Sequence, residues 1–127
     1  MSPSLPPAPA LQSSSQKRFQ SLRRAASPVM ALDRDGTICD TTRAVRQLLE
    51  YGTDTDLDGS FFAHVHTKHR ARIMHDLADL VCRGKQRAQW LLRMRTGHGR
   101  WRWYRASAHN RLTDKGDDCI LIHLRPV

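Results

Sequence analysis

The chain has 127 residues, a formal net charge of +9 and 39% hydrophobic residues, enough for one domain with a real core. No apolar run approaches the roughly 18 residues of a membrane span, and the Pro/Ser-rich start lacks the apolar segment of a secretory signal. Three widely separated cysteines, Cys39, Cys82 and Cys119, have no CxxC spacing. They read as reduced, mostly buried small hydrophobes of a cytoplasmic protein, not as a disulfide or zinc framework. Lys17, Arg18, Arg23 and Arg24 precede residue 28 with no acid among them, so +4 of the charge lies outside the domain and +5 within it. An excess of that size is ordinary for a solvated surface and adds little to the case for an anionic partner.

Residues 1–15 form a Pro/Ser/Ala tract too poor in apolar content to fold, and are expected to be disordered. Residues 16–27 can form a short basic capping helix with Phe19, Leu22 and Ala26 on one face, ended by Ser27-Pro28 because the residue before proline avoids the α region. So short a helix is marginal alone and has to dock. Residues 28–127 form the domain. Val29-Met30-Ala31-Leu32, the turn Asp33-Arg34-Asp35-Gly36 and Thr37-Ile38-Cys39 make a first hairpin. Asp40 or Thr41 is the expected N-cap of a helix to Glu50 with Val45, Leu48 and Leu49 inward. An acidic connector, 53–59, precedes a long helix from about Lys68 to Cys82, striped by Ile73, Met74, Leu77, Leu80 and Val81 and stopped by Gly84. Three strands close the chain: Gln89–Arg95, Trp101–Ala108 after the Gly97-His98-Gly99 turn, and Cys119–Leu124 after a turn over 113–117. The expected fold is α+β, a five-stranded antiparallel sheet with helices packed on one face.

Several of these stretches resemble the PAS domain family. Leu32-Asp33-Arg34-Asp35-Gly36-Thr37-Ile38 is similar to the family's opening hairpin, hydrophobic-D-x-D/N-G-x-I. Leu57-Asp58-Gly59-Ser60, with Phe61-Phe62 and Val65-His66, resembles its E-L-x-G-x-x-F-x-x-x-V-H-P-x-D stretch. Arg95-Thr96-Gly97-His98-Gly99-Arg100-Trp101-Arg102-Trp103 is similar to its R-x-D-G-x-x-R-W hairpin. Order and spacing over residues 28–127 carry the resemblance. Three departures stand out: Asp40-Thr41-Thr42 replaces the usual Asn, His66-Thr67-Lys68-His69 replaces H-P-x-D, and Arg125-Pro126-Val127 stands where Asp-Ile-Thr often leads to a signalling helix. The resemblance implies a sensory module of a bacterial-type regulator, a transcription factor or kinase, or its free-standing partner. Such a module joins an effector domain or a protein partner.

The histidines are the first candidates for chemistry. His64, His66 and His69 fall within six residues, with His75 further on. If His66 caps the long helix, His69 and His75 face different directions, and no Cys or carboxylate stands at matching spacing, so no metal site is predicted. Haem, held in some PAS relatives by a helical His, would use His75, but a lone helical His is far more often a polar-face residue. Light-sensing relatives carry a reactive Cys in an Asn-Cys-Arg-Phe-type motif that none of the three cysteines here shares. No G-x-S-x-G, phosphate loop or paired-carboxylate arrangement appears, so no catalytic residue and no enzyme is predicted.

The sheet faces are the better candidates. Leu32, Val45, Leu49, Phe62, Met74, Leu77, Leu92, Tyr104, Ala106 and Ile122 fall on the inward phase of their elements and are the expected lining of a ligand pocket. Tyr104 alone offers a hydroxyl to orient a ligand, an unknown small molecule; no cofactor is predicted. Leu91, Trp101, Trp103 and Leu121 make an outer apolar patch rimmed by arginines, to be covered by the Phe19/Leu22 helix or by a second subunit in a homodimer. Two other readings compete: a nucleic-acid-binding module using Trp101, Trp103, Arg93, Arg95 and Arg105, and a haem-based gas or redox sensor. Nucleic acid is not expected through this domain while the apolar helix competes for the same surface.

Overall fold

The computed structural model describes residues 27–52, 57, 59–112 and 118–127. The N-terminal tail and helix, with Phe19 and Leu22, lie outside the described residues, as do most of the acidic connector and the 113–117 turn. In chain order the elements are β1 (Val29–Leu32), β2 (Ile38–Thr41), α1 (Arg43–Leu48), a 3-10 turn (Phe61–His64), α2 (Thr67–Arg83), β3 (Arg87–Arg95), β4 (Trp101–Asn110) and β5 (Ile120–Pro126). The five strands form one antiparallel sheet, as expected, and their order is β2-β1-β5-β4-β3.

Local chemistry sets the boundaries. Asp33 Oδ1 accepts from the N–H groups of Asp35 and Thr37, closing the β1–β2 turn. Gly36 has φ +84°, and a Cβ there would lie 2.6 Å from Phe62 Cε2. The N-cap of α1 is Thr42, not Asp40 or Thr41, because β2 continues through Thr41. The Thr42 hydroxyl is buried and fully used: it accepts from Val45 N and Val29 N and donates to the Ser27 carbonyl. His66 caps α2 through Nδ1, which accepts from Lys68 N at 3.1 Å, and Gly84 ends the helix at φ +68°.

The segment from Ser60 to Val65 ties together the two edges of the sheet. Ser60 bridges Thr37 beside β2, and Val65 bridges Met94 of β3. Five residues span at most about 18 Å, whereas four flat inter-strand steps would span about 19 Å. With part of the segment wound as a 3-10 turn, the sheet has to curl around its inner face. Ile73, Leu77 and Leu80 of α2 enter that concavity and join Met30, Leu32, Leu92, Tyr104 and Ile122 in one buried cluster.

Candidate functional site

The inner face holds eight of the ten expected pocket residues. Leu32, Val45, Leu49, Leu77, Leu92, Tyr104, Ala106 and Ile122 are buried together. Tyr104 lies within the cluster, and its hydroxyl donates to the Leu48 carbonyl at 3.3 Å instead of projecting into a free space. Burial pushes its pKa up, so it stays a donor.

The other two lie elsewhere. Phe62 is partly buried at the margin, and Met74 is 50% exposed, so it does not line the interior. The physical reason is helical phase: Ile73, Leu77 and Leu80 take the inward stripe, and Met74, one residue on from Ile73, is turned about 100° away. Phe62 and Met74 instead meet Leu77, Ala78, Val81 and Cys82 in a groove of about 360 Å³ between α2 and the β1–β2 turn, with Arg34 and Asp35 at its rim. Three of the expected lining residues are thus brought to one concave, mostly apolar place.

On the outer face Leu91, Trp101 and Trp103 are exposed, and Leu121 is half-buried. The long-helix N-terminus reaches over the β3 edge to meet them. His66 stands edge-on to Trp101 at 4.8 Å, His69 stands edge-on to Trp103 at 5.3 Å, and the Arg93 guanidinium lies over Trp103 at 4.9 Å. Arg93 Nε donates to His69 Nε2 at 3.2 Å. Burial, then the Arg93 charge, holds both histidines below the usual His range.

His64 pairs with the Tyr51 hydroxyl at 3.4 Å, while His66 and His69 lie 6.0 Å apart, so the histidines separate into different surroundings. His75 is exposed, and two carboxylates do accompany it: Asp76 and Asp79 approach its Nδ1 to 3.6 and 3.9 Å. The expectation that no carboxylate matches the histidines is corrected by this trio, whose candidate ligand atoms lie within 4.8 Å of one another. One turn of helix brings residues i and i+4 to the same face, which spacing alone shows once the helix is placed. Asp76 also accepts from the Trp90 indole at 2.9 Å. The cysteines depart from expectation too: Cys119 is buried, but Cys39 and Cys82 are exposed. Partial burial and the neighbouring Asp33 and Asp40 charges raise the Cys39 pKa, which disfavours its thiolate.

A family profile described as PAS fold matches residues 22–127. The chain belongs to the PAS fold family. No curated protein sequence matches it. Solved structures share its fold: the PAS domain of an HTR-like protein from Haloarcula marismortui is 18% identical, with TM-score 0.66, covering 94% of this chain and 97% of that one. The LOV protein of Rhodobacter sphaeroides is 14% identical, with TM-score 0.71, covering 90% of this chain and 66% of that one. Cycle PAS-B of Drosophila melanogaster, solved with bound ethylene glycol, is 12% identical, with TM-score 0.64, covering 77% of this chain and 97% of that one.

PAS domains are sensory and signalling modules. No described helix is long and apolar enough to cross a membrane. Sequence reasoning missed two residues that shape this PAS domain. Asn110 ties β4 to the end of α2, and Glu50, with φ +63°, receives Arg100 at 2.7 Å and Arg102 at 3.4 Å. The Thr96 hydroxyl and the Arg100 guanidinium hold the Glu50 carboxyl below its usual range.

Proposed function

We propose that this PAS domain is a non-catalytic sensory module of a cytoplasmic regulator, a kinase or a transcription factor. It takes a small apolar ligand in the groove between α2 and the β1–β2 turn. The observation that carries this reading is the groove, whose wall of Phe62, Met74, Leu77, Ala78 and Val81 is apolar and whose rim carries Arg34 and Asp35. Its volume of about 360 Å³ falls within the usual range for small-molecule sites.

Two relationships support a route out of the site. Phe62 packs edge-on to buried Phe61 at 6.0 Å and crowds Gly36, so a ligand that displaces Phe62 loads the β1–β2 turn. Strand β1 pairs with β5, and Leu124 N donates to the Pro28 carbonyl, so both ends of the domain leave from one place. A load on the hairpin therefore reaches the flanking segments that would meet an effector.

Native mass spectrometry of the freshly purified chain tests this. The wild type is expected to retain an apolar small molecule, and Ala78→Trp, which fills the groove from an exposed helix position, is expected to lose it while remaining folded. Equal retention by both proteins, or none by the wild type before and after incubation with a cell extract's small-molecule fraction, would rule the site out.

A further inference from the structure

A second feature goes beyond the sensory reading and does not depend on it. Arg105 of β4 stands directly opposite Arg125 of β5, with Leu91 of β3 opposite Arg105 on the other side. Like charges directly opposite on one sheet face destabilise the ladder. Both arginines are exposed, and the ion pairs among the described residues include neither of them. A hollow of about 170 Å³ lies between them, and Gln89 and Ser107 share its lining. Two guanidinium groups, an amide and a hydroxyl can thus donate to one anionic group. Two residues along each strand, about 7 Å away, the same face continues into Arg93 and Trp103.

We propose that this outer face docks an acidic segment of a protein partner. A carboxylate sits between Arg105 and Arg125 in the hollow, and apolar side chains of the segment lie on Leu91 and on the part of Trp103 that Arg93 and His69 leave exposed. Trp and Arg side by side are the residues that dominate protein interfaces. Charge selects this occupant over the basic 16–27 segment, whose Lys17, Arg18, Arg23 and Arg24 would bring like charge to these arginines, and over two others. A second copy of the chain docked with its two-fold axis through this hollow would set these arginines against themselves. Single-stranded nucleic acid needs a bare ring for base stacking, but Arg93 already lies over Trp103, and His69 and His66 abut Trp103 and Trp101.

The test is fluorescence anisotropy with three labelled ligands on the full chain: a peptide alternating Glu with Leu and Phe, its Gln-for-Glu twin, and an oligo-dT of equal charge. The acidic peptide is expected to bind at least about tenfold more tightly than either control, and Arg105→Gln with Arg125→Gln to weaken it about tenfold. Removing a like-charge pair leaves the double variant folded, and Arg83→Gln on α2 is the unaffected control. The proposal is overturned by oligo-dT binding as tightly as the peptide, by an unchanged double variant, or by no peptide binding at all. A wild-type dimer that the double variant dissolves would overturn it equally.

Discussion

Asn110, the last residue of β4, caps the far end of the long helix: its Nδ2 donates to the Leu80 carbonyl at 2.7 Å and to the Lys85 carbonyl at 2.9 Å. Its Oδ1 accepts from Leu112 N, so one buried amide satisfies three backbone groups. Carbonyls at a helix end have no partner of their own. Asn110→Ala should cost roughly 1–3 kcal/mol, because those groups stay buried and lose their bonds. Asn110→Asp should cost at least as much, since a carboxylate cannot donate to either carbonyl. Urea unfolding of the two variants measures this, and a shift within error of the wild type would count against it.

Gly97 is required for a different reason. Its N–H donates to the Leu49 carbonyl at 2.8 Å, and a Cβ added there would collide with the Glu50 carbonyl. Glu50 cannot easily yield, since its own left-handed backbone and its two arginine partners fix it. Gly97→Ala is therefore expected to destabilise by roughly 1–3 kcal/mol. Equal melting temperatures for wild type and Gly97→Ala would remove the steric argument.

The histidines at the start of α2 predict a pH dependence. His66 Nδ1 and His69 Nε2 both act as acceptors, a role open only to neutral rings. Burial is the larger cause of the lowered pKa in each. The cations of Arg93 and Lys68 act on both rings, with Arg70 acting on His66 and Arg72 on His69. The unfolded chain, at about 6.5, takes up these protons first. The contribution to stability is complete above that value and is lost as pH falls through it toward the lower folded pKa. His66→Asn keeps an N-cap that does not titrate. Combined with His69→Gln it should flatten the loss of stability between about pH 7.5 and pH 5. His123, also lowered by burial and then by His109, leaves a residual slope. Superimposable pH profiles for the variant and the wild type would refute the assignment.

Ala106 is buried beneath the inner face of β4, beside Trp90 of β3 and Leu124 of β5. Enlarging it tests whether the ligand lies inside the core or in the groove. With the ligand in the groove, Ala106→Leu should lose roughly 1–3 kcal/mol to overpacking and still bind. Loss of binding with stability unchanged would place the ligand inside the core instead.

What could be read from the sequence was what repeats along the chain. The alternation through Trp90, Leu92 and Met94, and through Tyr104, Ala106 and Ala108, fixed the inner face of β3 and β4, because strand side chains have a strict period of two. Gly84 and the hairpin glycines marked their turns. The cap of α1 was not legible, because Asp40, Thr41 and Thr42 are all competent caps and only the sheet pairing of Thr41 with Met30 excludes the earlier ones. Met74 was misplaced because an apolar residue next to a stripe looks like part of it. Asn110 gave no signal, since its partner Leu80 is 30 residues away. The groove itself was invisible, as it arises where α2 meets a turn distant in sequence.

The most direct measurement of the central claim, that the ligand enters between α2 and the β1–β2 turn, is a ¹³C-methyl methionine spectrum recorded with a set of small apolar fragments. Met74 lines the groove, whereas Met30 and Met94 are fully buried in the core. The account predicts that binding fragments shift the Met74 methyl first and most, with Met30 and Met94 nearly still. Fragments that move Met30 or Met94 while Met74 stays in place would contradict it.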